Sequence, residues 1–298
     1  MLNSRAIKEL CRQYHLAISP RRMGQNFLVD PRILERIAQV IGAGAGDKLL
    51  EIGAGLGALT EALLSTGAEL FAVERDAKFV QVLTDRFKES PNLKKIVQSD
   101  ILELSLEPYA SGIEKSLLVV GNIPFSMTSP ILEYLLKERR WVKRAILTIQ
   151  KEVAQRIVAK PSTKEYSSIT LLVAVAFQPS IAFLIPPNCF YPQPKVTSAV
   201  LQLDPLTQSV VPPEEEEAVL KLVRLIFTHR RKTLLNALSF GSGFTHDQRR
   251  HFEAAGPRNP VNKQDLAERL RAAGLDPVRR PETLSLRELT SLQRTLSG

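Results

Sequence analysis

The residues best placed to hold a ligand are three glycines, Gly53, Gly55 and Gly57, in the segment EIGAGLGALT. An apolar run precedes them and helical spacing follows, so the segment predicts a strand, a loop and a helix. Glycine lets a ligand approach the main chain closely, and the helix start offers unpaired N–H groups. Glu74 ends the next apolar run, where a carboxylate can accept hydrogen bonds from two ribose hydroxyls. Together these residues indicate a nucleoside-containing ligand.

The glycine segment alone leaves that ligand open. Gly53, Gly55 and Ala58 also satisfy the dinucleotide pattern G-x-G-x-x-A, so S-adenosylmethionine and NAD are comparable hypotheses, and glycines that serve only a tight turn are a third. Asp100 ends a further apolar run, where a carboxylate can accept from an exocyclic amine and so select adenine. The alternative for Asp100 is a helix or turn cap.

The sequence Asn-Ile-Pro-Phe at residues 122–125 follows the fourth predicted strand and favours methyl transfer to an amine. The exocyclic amine of adenine is a poor nucleophile because its lone pair is delocalised into the ring. Two acceptors, the Asn122 side-chain oxygen and a carbonyl near Ile123, would bind its N–H groups and favour a pyramidal nitrogen. Pro124 fixes the turn, and Phe125 would stack on the base for about 1–3 kcal/mol. Positioning would then contribute most of the catalysis, whereas a capping Asn before a helix-start Pro is the structural alternative.

The pattern [NDS]-[IL]-P-[YF] after a fourth strand resembles the amino-directed N-methyltransferases, and the chain as a whole resembles the ribosomal RNA adenine N6,N6-dimethyltransferase family. Three further segments carry this resemblance: Gln25-Asn26-Phe27-Leu28 resembles the family's Q-N-F-L, residues 190–196 its F-x-P-x-P-K-V, and residues 227–234 its F-x-x-R-R-K-T-L. Gly53, Glu74, Asp100 and Asn122 match the family's other cofactor contacts, and with them the resemblance comprises five spaced motifs within about residues 20–295. One departure is Phe125, where the family more often has Tyr; stacking survives this change, and only a phenol hydrogen bond would be lost.

The resemblance implies S-adenosylmethionine as the methyl donor, S-adenosylhomocysteine as the product, and no metal. It implies these cofactor contacts: Gln25, Asn26, Leu28, Gly53, Gly55, Glu74, Asp100, Ile101 and Asn122. It also implies these residues at the target base: Asn122, Pro124, Phe125 and Phe190. Phe190 would sandwich the adenine, and the alternative for it is a core role.

The reaction that the resemblance implies is the transfer of four methyl groups to two adjacent adenosines near the 3′ end of small-subunit (16S) ribosomal RNA, two on each N6. A monomethylated amine retains one N–H, so one acceptor can still hold it for the second transfer. The residues at the predicted turn are therefore compatible with dimethylation.

These residues need a scaffold that gathers strand ends, and the hydrophobic pattern predicts one. Strands are expected at 48–53, 69–74, 94–100, 116–122 and 143–150, with helices at 57–67, 78–88 and 130–137. Strands separated by helices predict βαβ units and a parallel sheet. Residues 180–185 and 196–203 have no helix between them, so they are expected to form an antiparallel pair that closes the sheet.

Between these segments, 152–160 is predicted as a helix and 161–168 as a mobile loop, while 169–177 fits a strand but favours a buried helix. The predicted fold class is α/β, a Rossmann-like methyltransferase sheet that is mostly parallel, with an antiparallel strand near its end and a smaller all-α C-terminal domain.

The composition changes around residues 206–217, where two prolines precede four glutamates. Beyond this point nearly every segment has helical spacing. We therefore predict a methyltransferase domain at 1–205, a linker at 206–213 and a helical RNA- or ribosome-binding domain at 214–298. A length of 298 residues fits two domains.

The charge balance favours a polyanionic partner, because 40 Lys and Arg face 31 Asp and Glu, a net charge of +9. From Pro213 onward 15 basic residues face 11 acidic ones, so the rest of the excess precedes the helical domain. The predicted RNA contacts are Arg21, Arg22, Lys195, Arg230, Arg231 and Lys232. The alternative for the last three is a solvated helix face, and a second basic cluster has no predicted orientation: Arg139, Arg140, Lys143 and Arg144.

Two related functions stay open: a large-subunit dimethylase of the macrolide-resistance type, and a ribosome-assembly factor with secondary catalysis. The F-x-P-x-P-K-V and R-R-K-T-L forms disfavour the first. The predicted partner is small-subunit rRNA within an immature 30S particle, and the protein is expected to be a cytoplasmic monomer without membrane attachment. The apolar stretches are too short and too broken to span a bilayer, and the N-terminus lacks the apolar region of a secretory signal. Two distant cysteines fit a reducing compartment.

Overall fold

The computed structural model describes residues 2–17, 26–240 and 263–297. Contacts divide the chain into two compact units, a sheet unit and a helical unit. The sheet unit comprises Met1–Gln155 and Phe177–Pro205, and the helical unit comprises Arg156–Ala176 and Leu206–Gly298. The predicted α/β class is confirmed, with a mostly parallel sheet and a helical C-terminal part.

The strands of the described chain all belong to the sheet unit. They are β1 Phe27–Leu28, β2 Lys48–Ile52, β3 Glu69–Glu74, β4 Leu93–Gln98, β5 Leu117–Asn122, β6 Val142–Gln150, β7 Phe177–Ile185, β8 Phe190–Tyr191 and β9 Ser198–Pro205. Seven of them form one sheet in the order β4-β3-β2-β5-β6-β9-β7. Strands β2 to β6 pair in parallel, and β9 runs antiparallel to both β6 and β7. The predicted antiparallel closure of the sheet is thereby confirmed.

The helices around the sheet follow from local signals in the sequence. They are α1 Ser4–Gln13, α2 Pro31–Ile41, α3 Ala58–Leu64, α4 Ala77–Phe87, the single turn α5 Glu107–Ala110, α6 Thr128–Glu138 and α7 Lys151–Ile157. Helix α2 shows the pattern: the Asp30 side chain caps its first turn, Pro31 is its first residue, and Gly42 ends it in the left-handed conformation. Strand β5 is buried from Leu117 to Gly121, as expected for a parallel strand covered on both faces.

A separate two-stranded sheet joins residues that are far apart in sequence. Strands β1 and β8 pair antiparallel, with Phe27 opposite Tyr191 and Leu28 opposite Phe190. The Val29 N–H donates to the Cys189 carbonyl at 2.9 Å and extends the contact. This pairing holds the segment before α2 against the segment between β7 and β9.

The helical unit contains no strand among its described residues. Its helices are α8 Ser168–Ala174, α9 Glu216–Thr228, α10 Leu234–Phe240, α11 Lys263–Ala272 and α12 Leu286–Ser297. The predicted helix near 169–177 is therefore present, whereas the continuous helical pattern across 216–239 is two helices. A turn over residues 229–233 separates them.

The segment 156–176 groups with the helical unit, unlike the predicted division at residue 205. Helix α8 packs against α9, and the Tyr166 hydroxyl donates to the Leu284 carbonyl at 2.7 Å. The predicted linker 206–213 is also attached to this segment, because the Leu206 N–H donates to the Ala176 carbonyl at 2.8 Å and the Ser209 hydroxyl to the Val175 carbonyl at 2.7 Å. The buried apolar residues of α8 pack in the core of the helical unit. The change in composition at residues 206–217 gave no indication that a segment before it belongs to that unit.

Within the described residues, no helix combines the length and the apolar character that crossing a membrane requires.

Candidate active site

A cleft of about 310 Å³ lies at the carboxyl ends of the parallel strands of the sheet unit. This is the edge where ligands bind in open α/β sheets. The cleft is lined by eleven of the predicted site residues: Asn26, Leu28, Gly53, Gly55, Glu74, Asp100, Ile101, Asn122, Pro124, Phe125 and Phe190. Residues from six separate stretches of the chain therefore meet at one place. Gln25, Arg21 and Arg22 lie outside the described residues.

The glycine loop has the backbone that its sequence requires. Gly53 has a φ of +68°, and a Cβ added there would meet no atom within 4 Å. Its main chain is therefore open to close approach, and Gly53 lines the cleft. The accessible main chain of Gly53 fits a nucleoside ligand such as S-adenosylmethionine, as do the Glu74 and Asp100 carboxylates that line the same cleft.

Gly57 is required for packing, because its α-carbon lies close to side chains of α4. A Cβ at Gly57 would lie 2.5 Å from the Phe87 ring and 2.9 Å from both Arg86 and Leu83, and its φ is +82°. We expect Gly57→Ala to lower the free energy of unfolding by about 2–4 kcal/mol, through overpacking and backbone strain. Gly44→Ala is the matched control, since no atom lies within 4 Å of the added Cβ. Urea unfolding compares the two, and equal stability would contradict this account of Gly57.

The Glu74 carboxylate is a structural junction as well as a cleft wall. One oxygen accepts from the Gly55 N–H at 2.8 Å, and the other accepts from the Arg75 N–H at 2.8 Å and the Asp76 N–H at 2.9 Å. The side chain is 9% exposed, and burial raises its pKa although the three N–H groups act in the opposite direction. Since each carboxylate oxygen has two lone pairs, acceptor capacity remains for a ligand hydroxyl.

Asp100 has the capping role that its sequence left as an alternative, and its side chain also lines the cleft. One oxygen accepts from the Leu102 N–H at 3.1 Å and caps a single 3-10 turn at Ile101–Glu103. The other lies 3.3 Å from the Arg75 guanidinium, and the Asp100 side chain is 25% exposed at the cleft. The cap fixes the orientation of the carboxylate, while its second oxygen reaches the cleft with Arg75 as its present partner.

The orientation of the Asn122 amide is fixed by a contact that the sequence did not indicate. The amide nitrogen donates one of its two N–H groups to the Asn26 carbonyl at 2.8 Å, and this contact sets the orientation of the amide. The side-chain oxygen is the acceptor that Asn122 offers a ligand in the cleft that it lines. An acceptor is what an adenine amine requires.

The turn after Asn122 is closed by its own main chain. The Pro124 carbonyl accepts from the Met127 N–H at 2.8 Å, and the Phe125 carbonyl accepts from the Thr128 hydroxyl at 3.1 Å. The Ile123 carbonyl is therefore the main-chain acceptor of this turn that remains for the base. Phe125 is partly exposed and lines the cleft, so its ring can contact a ligand.

Phe190 lies in the wall of the cleft, but it is also part of the hydrophobic core. Its side chain is only 4% exposed and packs in the core cluster beside Leu28. Its pairing in β8 holds it there. The core role that the sequence left as an alternative is thus present, and a clamp on adenine would use only the small exposed part of this ring.

Glu51 is a cleft residue outside the set that the sequence predicted. Its side chain is 1% exposed, and the Thr60 hydroxyl donates to it at 2.6 Å. Burial raises the pKa of Glu51 to about 7, and the Thr60 hydrogen bond opposes this only partly. A carboxylate inside the apolar run KLLEI was the signal that could have identified it.

The raised pKa of Glu51 predicts a pH-dependent stability. The folded protein holds the proton more tightly than the unfolded chain, so the contribution of this group is full below about pH 4.5 and is lost as the pH rises to about 7. Glu51→Gln removes this loss, and we expect the variant to exceed the original protein at pH 8 by about 3 kcal/mol at most. Thermal unfolding between pH 5 and pH 8 tests this expectation. A stability difference that is constant with pH would contradict it.

The predicted RNA contacts have different surroundings. Lys195, Arg231 and Lys232 are exposed, and the last two lie in the turn between α9 and α10 instead of on a helix face. Arg230 is used within the helical unit. Its guanidinium donates to the Lys164 carbonyl at 2.6 Å and lies 3.5 Å from the Glu282 carboxylate.

Each side chain of the second basic cluster has a partner within the protein. Arg140 pairs with Glu114 at 2.7 Å, Lys143 with Asp47 at 2.8 Å, and Arg144 with Asp204 at 2.6 Å. The Arg139 guanidinium donates to the Leu136 carbonyl at 2.7 Å. These residues lie around the amino end of β6, away from the carboxyl-end cleft.

The mostly parallel seven-stranded sheet, with a cleft at the carboxyl ends of its strands, has the fold of solved methyltransferases. Solved structures with a similar fold include a dimethyladenosine transferase from Plasmodium falciparum, with a TM-score of 0.71, 24% identity and coverage of 89% of this chain and 95% of that one. The 23S rRNA methyltransferase ErmE has a TM-score of 0.63, 22% identity and coverage of 92% and 100%.

Sequence similarity identifies the family within this class. The model of the ribosomal RNA adenine dimethylase family matches residues 19–273, and the chain belongs to that family, as its motifs predicted. Relatives called Ribosomal RNA small subunit methyltransferase A include those of Moorella thermoacetica, 36% identical over 93% of this chain and 92% of the relative, and Geobacter sulfurreducens, 38% identical over 93% and 94%. The chain is accordingly an S-adenosylmethionine-dependent rRNA adenine dimethyltransferase.

Proposed function

We propose that the protein dimethylates N6 of two adjacent adenosines near the 3′ end of small-subunit rRNA, using S-adenosylmethionine. The observation that carries this proposal is the Asn122 amide, whose nitrogen is held by the Asn26 carbonyl at 2.8 Å and whose oxygen is left as an acceptor. The relatives called Ribosomal RNA small subunit methyltransferase A support the small subunit as the source of the RNA.

The cleft residues divide the work of binding. Glu74 would accept from the ribose hydroxyls and Asp100 from the adenine amine of the cofactor, with Gly53 giving close access to the main chain. Gln25, Asn26, Leu28, Gly55 and Ile101 are proposed as the remaining cofactor contacts. The bound cofactor supplies an electrophilic methyl group on a sulfonium, and the reaction calls on no metal.

The catalytic contribution of the protein is orientation. The Asn122 oxygen and the Ile123 carbonyl would hold the target amine, Pro124 would keep the turn rigid, and Phe125 would stack on the base. Phe190 would close the cleft from the opposite wall. After one methylation the remaining N–H still finds one of the two acceptors, so the same turn can serve the second transfer.

We propose that Lys195, Arg231 and Lys232 contact RNA phosphates, together with Arg21 and Arg22. Arg231→Gln combined with Lys232→Gln should flatten the dependence of log affinity on log salt by up to about two. Arg230→Gln should act differently and lower the thermal unfolding midpoint, because its carbonyl and carboxylate contacts lie inside the helical unit. Binding to small subunits over a salt series, with unfolding curves for each variant, separates the two effects. An unchanged slope would assign Arg231 and Lys232 to solvent.

The direct test supplies unmethylated small subunits and labelled S-adenosylmethionine, followed by digestion of the RNA and nucleoside analysis. The expected product is N6,N6-dimethyladenosine at two adjacent positions near the 3′ end. Methylation of large-subunit RNA instead would favour the macrolide-resistance type. Tight particle binding without methyl transfer would favour an assembly factor.

The cellular setting follows from the substrate. We propose a monomer that acts in the cytoplasm on an immature 30S particle, with the segment at 214–298 contributing to RNA or ribosome binding. The exposed cations of the α9–α10 turn support this role for the segment. Sedimentation of the protein alone tests whether it is a monomer, and sedimentation with small-subunit precursors tests whether it binds them.

A further inference from the structure

Helix α1 has two faces of opposite character. Ile7 is fully buried, and Leu10 and Cys11 pack against the core of the sheet unit. Arg5, Lys8 and Arg12 are exposed. With 3.6 residues per turn, these three cations fall within an arc of about 60° on the solvent side. They are called the α1 basic stripe below.

Little negative charge faces the α1 basic stripe. Glu9 is the only carboxylate on the helix, and it pairs with Arg5 at 3.2 Å with both side chains highly exposed. Such a pair contributes at most about 1 kcal/mol and leaves Arg5 open to other anions. Across the described parts of the chain, Lys8 and Arg12 have no carboxylate partner.

The neighbouring helix α4 does not neutralise the stripe either. Its Asp85 accepts at 2.9 Å from the hydroxyl of Tyr14, the residue after α1, and so already has a partner. Lys78, in the first turn of α4, donates to the His15 carbonyl at 3.0 Å and adds an exposed cation near the C-terminal end of α1.

The stripe lies beside the wall of the cleft. The Lys8 ammonium is 5.6 Å from the centre of the Tyr191 ring. Tyr191 pairs with Phe27 and follows Phe190, and both phenylalanines line the cleft. Just beyond the other end of α1, Tyr14 contacts Asp85 of α4, and Phe79 of the same helix also lines the cleft. The helix thus runs along elements that form the site.

We infer that the α1 basic stripe binds the phosphate backbone of the rRNA that flanks the target adenosine. This inference rests on the proposed function. A base that is swung out of its stack leaves its own strand at the mouth of the cleft, and cations one helical turn apart form a row that suits successive phosphates. The apolar face of α1 is buried in the core, so this helix cannot insert that face into a lipid surface.

The test uses the full chain with Lys8→Gln and Arg12→Gln together, and unmethylated small subunits as the probe. We expect the slope of log affinity against log salt to fall by about two, with affinity roughly 60-fold lower at about 0.1 M salt. The matched control is Lys88→Gln with Lys95→Gln, which removes the same charge from two other exposed positions. Its slope should equal that of the original protein.

Further measurements distinguish phosphate binding by the stripe from a general effect of lost charge or lost stability. At saturating particle concentration kcat should be unchanged, because no cleft residue is altered, and the thermal unfolding midpoints should agree because the replaced side chains are exposed. Equal slopes for all three proteins would overturn the inference, as would an equal decrease in both double variants. Binding to phosphatidylserine vesicles that is lost in the stripe variant, without a change in the RNA slope, would also overturn it. Failure of the proposed function would appear separately, as original protein that binds the particles without methylating them, and the slopes would still decide about the stripe.

Discussion

Replacement of Asn122 by alanine is expected to lower the rate of methyl transfer by roughly 10³-fold, the upper range for removing one positioned hydrogen-bonding group from an active site. The change removes the proposed acceptor for the target amine and also the contact from the amide nitrogen to the Asn26 carbonyl. Binding to small subunits should be largely intact, because the residues proposed to contact RNA phosphates lie elsewhere and are unchanged. Labelled methyl transfer, together with particle binding, measures both quantities.

Two controls define what this result means. Asn122→Asp keeps oxygen acceptors but cannot donate to the Asn26 carbonyl, so an intermediate rate is expected. Asn188→Ala changes an exposed asparagine that does not line the cleft, and its rate should equal that of the original protein. Full dimethylation by Asn122→Ala would falsify the assigned mechanism.

The second large effect is on cofactor affinity. Glu74→Ala should weaken binding of S-adenosylmethionine by about 100-fold, the equivalent of losing two hydrogen bonds to a charged group. It also leaves the N–H groups of Gly55, Arg75 and Asp76 without their present acceptor. Titration calorimetry measures the affinity, and circular dichroism establishes that the variant is folded.

The same strand provides the control for Glu74. Glu69 begins β3, at the opposite end from the cleft, and its exposed pair with Lys94 spans 3.7 Å. Glu69→Ala should leave cofactor affinity unchanged. Glu74→Gln should give an intermediate loss, because its amide keeps only one of the two oxygens. If folded Glu74→Ala bound the cofactor normally, Glu74 would be a structural residue only.

The parts of the fold that could be predicted from sequence are those set by local pattern. Strands β2 and β3 were located to within one residue at their ends, because apolar runs in parallel sheets are bounded by turns. The glycine loop and the Asn-Ile-Pro-Phe turn could likewise be located, since glycine and proline restrict the backbone strongly. These segments also carried the family resemblance.

What could not be predicted depends on contacts between distant residues. The two-residue strands β1 and β8 are too short to have a periodicity, so neither their pairing nor the burial of Phe190 was visible. The Asn26 carbonyl that orients Asn122 is 96 residues away from it in sequence. Arg230 looked like one of three equivalent cations, and only the fold shows that it binds a carbonyl in the loop after α7.

The assignment of residues 156–176 to the helical unit has a consequence for biosynthesis. The ribosome synthesises α8 well before α9, its packing partner. The apolar side of α8 therefore has no partner from α9 until about 40 more residues have been made. Strands β7 and β9 emerge in that interval and complete the sheet. Synthesis of the helical unit is therefore interrupted by synthesis of the last strands of the sheet unit. A chain that ends at residue 205 would have the complete sheet, but the apolar side of α8 would be exposed and prone to aggregation. A stable catalytic fragment would instead require a short loop in place of residues 156–176.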